Sequence, residues 1–383
     1  MSDRPRAGPF PPRPTLPPGE SPLREVEGAA TLGWGLVGAS AIAAAHTVRA
    51  IRSQPPIPTG DGRTGITSAR IVGIFSHSEA RAQRFADAHA VPHVFVNLAD
   101  LLSHPGVHCV YISNHPRHHA QSALAALAAG KHVLCEPPLA LDLAEAERVA
   151  HTALSRGLVL AVNFVRRAEP AIRTLRELLA ERAIGDLLGG RVSHTMLLHT
   201  PMQTWRLRSG GGGALLDRLA YSVDLLRFVL RDEIAAIQSI SAPQLLGDAV
   251  EEDVVSHVML RRNDIIFQLH DSFLVPHTPT SLEVYGSAGA LVARHCLDDE
   301  GPSELLLLRH GKGAPIPLAP ADPYRESIRR FLDAVRTQGV PLATGADGVQ
   351  SLAAVLAAQE SLRRGVKVAL ARPERPPVDR SIF

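Results

Sequence analysis

The run Ala129-Gly130-Lys131-His132-Val133-Leu134-Cys135-Glu136-Pro137-Pro138-Leu139-Ala140-Leu141 restricts this chain more than any other stretch. A short apolar run breaks off at Glu136 and two prolines before a fresh apolar pattern starts. That order reads as a buried parallel strand whose carboxyl end feeds a rigid loop ahead of a helix. Similar apolar runs at residues 33–37, 69–76, 107–113 and 158–167 alternate with helical spacing at 44–51, 79–88, 98–102 and 120–130. Strands alternating with helices imply an α/β fold built on a parallel doubly wound sheet, in which ligands bind at the carboxyl ends of the strands.

At 383 residues the chain has room for two full-sized cores, because single cores stop growing near roughly 250–300 residues. With 45% apolar and 20% charged residues it has a globular composition, and a net charge of +2 gives no global attraction for nucleic acid or membrane. Small-molecule partners are favoured. No stretch approaches the ~20 uninterrupted apolar residues that cross a bilayer. Cys109, Cys135 and Cys296 are odd in number and lack paired metal-ligand spacing, which suits buried thiols in a reducing cytoplasm. Lysine occurs only at Lys131, Lys312 and Lys367. The proline-rich residues 1–30 read as a disordered tail, and the end beyond Arg372 as a loose one.

Gly33-Trp34-Gly35-Leu36-Val37-Gly38-Ala39-Ser40-Ala41-Ile42-Ala43 reads as strand, tight turn and helix start. In such a turn the backbone N–H groups and the positive helix end face a dinucleotide pyrophosphate, so Gly38, Ser40, Ala41 and Ile42 are candidate cofactor contacts. Ser40 stands where the strict pattern has glycine, and its hydroxyl can itself donate to phosphate. Residues 53–68 look like an inserted surface loop before the next strand. The end of that strand offers Ser76 and His77, with Arg81 one turn into the following helix and no acid at the ribose position except nearby Glu79. Neutral and basic groups there tolerate a 2′-phosphate, so NADP is favoured over NAD.

Taken with Gly130-Lys131-His132-Val133-Leu134-Cys135-Glu136, the chain resembles the Gfo/Idh/MocA oxidoreductases over nearly all of residues 31–368. The resemblance implies that Glu136 matches the family glutamate and that Pro137 stands where the family carries the lysine of hydride-transfer chemistry. It also places the Asn114-His115-Pro116-Arg117-His118-His119 loop beside the nicotinamide ribose, with Asn114, His115 and His119 as contacts. From the residues alone, the three histidines read as a capped, solvated loop rather than a metal site, because no cysteine or carboxylate completes a ligand set.

The second half, residues 166–372, turns to polar–apolar alternation in strands at 191–199, 254–260, 264–274 and 281–285. Such strands form an open, mainly antiparallel sheet with one face on a core and the other free for a subunit contact, so a dimer or tetramer through this sheet is expected. Trp205-Arg206 and the glycine run Gly210–Gly213 precede a helix on which Asp217, Tyr221 and Asp224 recur at spacings that put all three on one face. The family resemblance places Asp217 and Asp224 at its two conserved aspartates and Tyr221 at its histidine. Arg166, His199, Trp205 and Arg206 are further pocket candidates by family position. Tyr221 and Asp217 are the candidate proton handlers. A phenol near its ordinary pKa of about 10 serves better as an acid than as a base, which favours carbonyl reduction.

The expected activity is therefore NAD(P)-dependent oxidoreduction at a hydroxyl or carbonyl of a small sugar-like or cyclic substrate. Two alternatives stay open. A catalytically silent dinucleotide or metabolite sensor would lack both usual proton-handling residues, and an NAD-assisted lyase or hydrolase would use the cofactor transiently.

Overall fold

A strand followed by a crossover helix returns the chain to its starting edge, so successive strands lie parallel. The computed structural model describes residues 30–58, 64–247, 250–299 and 301–371. Strands β1 (Ala30–Val37), β2 (Thr64–Phe75), β3 (Cys109–Ile112), β4 (His132–Cys135) and β5 (Leu160–Val162) lie in the order β2-β1-β3-β4-β5, all parallel. The order reverses at β1, so the crevice beyond its carboxyl end is the switch point of the sheet. The proline-rich ends lie outside the described residues.

β2 starts earlier than the punctuation suggests. Thr64–Phe75 is strand throughout, and Ile57–Pro58 pairs antiparallel with its start, so much of the expected 53–68 loop extends the sheet edge. Proline is tolerated there because an edge strand need not donate every N–H. β5 is shorter than the expected run: it stops at Val162, and Val165–Ala168 winds into a 3₁₀ turn.

Among the described residues the second sheet has nine strands. From one edge to the other they are Lys312–Pro315, Glu304–Arg309, Gly289–Arg294, Ser281–Gly286, Leu187–Thr195, Ile266–Ser272, Asp253–Leu260, Ile234–Ser241 and Val368–Ala369. Every pairing is antiparallel except Leu187–Thr195 with Ile266–Ser272. The Ala220–Leu230 and Gly345–Arg364 helices pack together, and the latter lies on the Ile234–Ser241 strand. Several of these strands carry unbroken apolar runs, such as Leu305–Leu308, and escape a reading based on alternation.

At the amino end of the first sheet, His132 is buried, and its Nδ1 accepts the Val159 N–H at 3.0 Å. Burial and nearby His108 pull its pKa down to about 4. A histidine held neutral contributes stability that is complete above its unfolded pKa near 6.5 and is lost as pH falls from there towards the folded value. The difference at about pH 4.5 is about 2.5 kcal/mol. In His132→Asn an amide oxygen can still accept the Val159 N–H but nothing titrates. We expect its unfolding free energy, measured in urea at about pH 7 and about pH 4.5, to fall less with acid than that of the unmodified protein, by about that amount.

Candidate active site

β1 ends in Gly38, whose backbone φ is 113° and whose absent Cβ would lie 2.5 Å from the Asn114 nitrogen. The turn after β1 is thereby pressed against the loop after β3, and no side chain fits between them. Ser40 caps the turn: its hydroxyl donates to Ser113 Oγ at 2.8 Å and accepts from the Ala43 N–H at 3.1 Å. Ala41 is exposed and Ile42 partly so. The helix that follows opens as a π-turn over Ala43–Thr47 before Val48–Arg52. Asn114 donates to Ser122 Oγ at 3.0 Å, whereas its Oδ1 is buried without a partner among the described residues. A tight glycine turn pressed against a loop that carries an orphaned buried amide oxygen fits a bound dinucleotide. Gly38, Ser40, Ala41, Ile42 and Asn114 are the residues that would hold it.

At the end of β2, Ser78 caps the Glu79–His89 helix by accepting from the Arg81 N–H, and Arg81 Nη2 donates back to the Ala39 carbonyl at 3.0 Å. His77 stacks on His118 at 4.5 Å, and Ser76 is partly exposed beside it. Ser76, His77 and Arg81 thus gather at one rim of the turn. His115 caps the 3₁₀ turn Pro116–His118 and lies 5.5 Å from the Trp205 ring. His119 differs from the expected solvated loop: it is 1% exposed, with Nδ1 2.7 Å from the Pro138 carbonyl and Nε2 3.0 Å from the Asn114 carbonyl. Alanine-rich packing of the helix it begins, His119–Ala128, draws the ring inside. It ties the loop after β3 to the loop after β4.

Glu136 is the first residue past β4, and half-buried Pro137 follows it. One carboxyl oxygen, Oε1, accepts from Tyr111 Oη at 2.6 Å and from Asn163 Nδ2 at 2.6 Å. The Tyr221 phenol is close enough to the carboxyl to influence its pKa. Asn163 is fixed in turn by Ser327, whose hydroxyl donates to its Oδ1 at 2.7 Å. Burial pushes the Glu136 pKa up, against the opposing effects of Tyr111, Asn163, Tyr221 and Arg166. Burial and the charge of Glu136 hold the Tyr221 phenol well above its ordinary value. Lys131 takes no part, because its Nζ donates to the Val107 carbonyl at the amino end of the sheet.

The helix carrying Tyr221 is not a uniform α-helix. Leu215–Leu219 forms a π-turn before Ala220–Leu230, and a wider turn rotates the rows that follow it. The π-turn separates Asp217 from Tyr221, whereas Tyr221 and Asp224 stay three residues apart within the Ala220–Leu230 helix. Asp217 meets Arg206 Nε at 3.2 Å and Arg218 Nε at 3.5 Å, in a partly open position. Tyr221 meets the Phe164 ring edge-on at 5.6 Å and the His194 ring at 6.1 Å. Asp224, expected in the pocket, is 2% exposed and is gripped by Arg167 at 2.8 and 2.6 Å, so it serves the core.

Arg166, beside Arg167, points the other way and donates to Asp299 at 2.8 Å. Asp299 also accepts from Tyr324 Oη at 3.2 Å. Arg206 covers the Trp205 ring at 4.7 Å. His199 is exposed at the start of the Thr200–Met202 turn, away from these contacts. Tyr111, Asn163, Tyr324 and Arg218 were not read as site residues. Tyr111 and Asn163 each put a polar group at the carboxyl end of an otherwise apolar strand, which was the available signal.

Residues 32–164 match the profile of the "Oxidoreductase family, NAD-binding Rossmann fold", and residues 172–292 match that of the "GFO/IDH/MocA C-terminal domain". The chain is 35% identical to 1,5-anhydro-D-fructose reductase of Ensifer adhaerens over 87% of its own length and 96% of the relative's. It is 28% identical to trans-1,2-dihydrobenzene-1,2-diol dehydrogenase of Sus scrofa, over 76% of this chain and 82% of that one. A 3-ketoreductase from Actinomadura kijaniata, solved with TDP-benzene and NADP, superposes with a TM-score of 0.73 at 25% identity, covering 87% of this chain and 98% of that one. Two matched domains and a relative aligned almost end to end make this chain an oxidoreductase of the Gfo/Idh/MocA family.

Proposed function

We propose that the protein is an NADP-preferring reductase of a carbonyl group on a small sugar-like or cyclic substrate, with the Tyr221 hydroxyl as proton donor. The observation that carries this reading is the position of Tyr221: a neutral phenol close enough to Glu136, beyond β4, for each to influence the other's pKa, at a strand-end site that Lys131 does not reach. The dinucleotide, when bound, supplies the hydride. The chain's own residues hold it through the Gly38–Ile42 turn and Asn114, and they present a hydroxyl proton to the oxygen that becomes the alcohol. Relatives named for anhydrofructose reduction and for oxidation of a cyclic diol support a polyhydroxylated or cyclic substrate. Asp217 orients Arg206 and Arg218 at the rim, where Trp205, Arg206 and Arg166 are the candidate substrate contacts.

The preference for NADP rests on Arg81, an exposed guanidinium at the phosphate turn with Ser76 and His77 beside it. Self-association rests on the open face of the nine-stranded sheet, where Ile240, Ile266 and Tyr285 are 69%, 57% and 37% exposed. Apolar groups on an uncovered sheet face mark an interaction surface.

Three measurements test these statements. Titration of nicotinamide fluorescence should show Arg81→Ala weakening NADPH about 10- to 100-fold, the range for one charge-assisted contact, while NADH binding is unchanged. Equal loss for both coenzymes would remove the preference. Tyr221→Phe should lower the kcat of carbonyl reduction about 100- to 1,000-fold with cofactor affinity retained, read from nicotinamide absorbance. Full turnover in that variant would take Tyr221 out of the chemistry. Sedimentation of Ile266→Glu should show monomers where the unmodified chain gives a dimer or tetramer.

A further inference from the structure

Away from the strand ends, a second cavity of about 470 Å³ opens between the Pro170–Ala180 helix, the end of the Ala220–Leu230 helix, the Pro323–Thr337 helix and residues 340–342. Its size lies within the range of small-ligand sites, about 300–1,000 Å³. It shares no lining residue with the turn after β1, with Glu136 or with Tyr221. Its walls are rich in arginine, and most of that charge is spent. Arg167 is committed to Asp224 and Asp347. Arg173 and Arg330 share Glu326, at 3.7 and 2.9 Å. Arg176 and Arg231 are left over. Among the described residues the side chain of neither forms an ion pair or a hydrogen bond, although Glu177 and Glu181 line the same cavity.

The Arg176 guanidinium covers the Phe228 ring at 4.2 Å, and its Nε is buried without an acceptor among the described residues. Stacking on a ring fixes the plane of a guanidinium and leaves its N–H edge free to donate. Arg231 stands near enough that its charge, after burial itself, depresses the Arg176 pKa. A buried donor left unpaired and two like charges left side by side both cost free energy, and one anion between them removes both costs.

We propose that this cavity is a ligand site for a small organic phosphate, with Arg176 and Arg231 holding the phosphoryl group and Val340 and Pro341 flanking the carbon skeleton. A phosphate monoester carries about −1.5 to −2 on a single group, enough for both guanidiniums at one point, where a carboxylate brings only one charge. The planar forks of N–H groups match phosphate oxygens two at a time. The assignment does not depend on the reductase reading above.

Calorimetric titration of the full-length protein at constant ionic strength, with and without NADPH to fill the pyrophosphate turn, tests it. Glycerol 3-phosphate should bind in both cases, and Arg176→Gln and Arg231→Gln should each weaken it about 10- to 100-fold. Arg84→Gln, at an exposed position on the Glu79–His89 helix, should leave it unchanged. Arg231 is exposed, so its replacement leaves the core intact. The melting midpoint should rise with glycerol 3-phosphate in the unmodified protein and stay flat in either arginine variant. Inorganic phosphate and succinate should each bind about 10-fold more weakly or worse. Equal affinity for inorganic phosphate would assign the site to the free ion, and tighter succinate would assign it to dicarboxylates; either overturns the organic phosphate. Binding that persists in both arginine variants, or that NADPH abolishes, puts the anion in the cofactor cleft and overturns the site, as does a lack of binding at millimolar glycerol 3-phosphate.

Discussion

The site depends on a salt bridge that is not part of it. Arg167 reaches both oxygens of Asp224 and also Asp347 at 2.9 Å, and Arg227 adds a second guanidinium to the same pair of acids. Asp347 further closes a capping box with Thr344 at the start of the Gly345–Arg364 helix. Three segments therefore meet in one enclosed network: the turn after β5, the Ala220–Leu230 helix and the Gly345–Arg364 helix. Removing one partner of such a network leaves a buried charge unpaired, at a penalty of about 3–5 kcal/mol. Its geometric effect matters more for chemistry. Asp224 fixes the helix one turn below Tyr221, and Arg167 fixes the turn from which Arg166 extends towards Asp299 and Tyr324.

Two opposite solutions to buried charge stand side by side. Asp347 is driven far below the usual carboxylate range by Arg167 and Arg227, despite its burial. Glu136, about as enclosed but given only neutral donors, is driven up. Partner and depth decide together: Asp224, gripped by the same Arg167 but with its side chain only 2% exposed, has its pKa raised by burial, whereas Asp347 at 23% exposure is lowered. Asp271 follows the second pattern. Served by the Ser222 hydroxyl at 2.6 Å, its pKa is raised by burial to about 7.

Much of this architecture was legible in the sequence, and what was missed has physical reasons. The strand ends at Val37 and Cys135 could be read because apolar runs stop abruptly at Gly38 and Glu136, whereas the end at Val162 was overrun, because Phe164 and Val165 continue an apolar pattern past Asn163. The pairing of Glu136 with Tyr111 and Asn163 was hidden, since it joins the ends of three strands that are neighbours only in the folded sheet. Asp224 was placed in the pocket because helical spacing shows only the face it shares with Tyr221, not that Arg167 from the turn after β5 holds it in the core. His119 looked exposed among polar neighbours, although two carbonyls from different loops draw it inside. Spacing predicts faces within one element. It says nothing about which distant backbone group will claim a side chain.

The rim of the large sheet carries one more implication. Its outermost strand on one side, Lys312–Pro315, is four residues long and exposed throughout; it begins with an ammonium and ends in a residue with no N–H. A short, charged, proline-ended border offers an incoming chain few amide groups to copy, so strand-by-strand elongation stalls there. At this border the sheet is closed to further strands, so any growth of it by edge pairing would have to start from the opposite side.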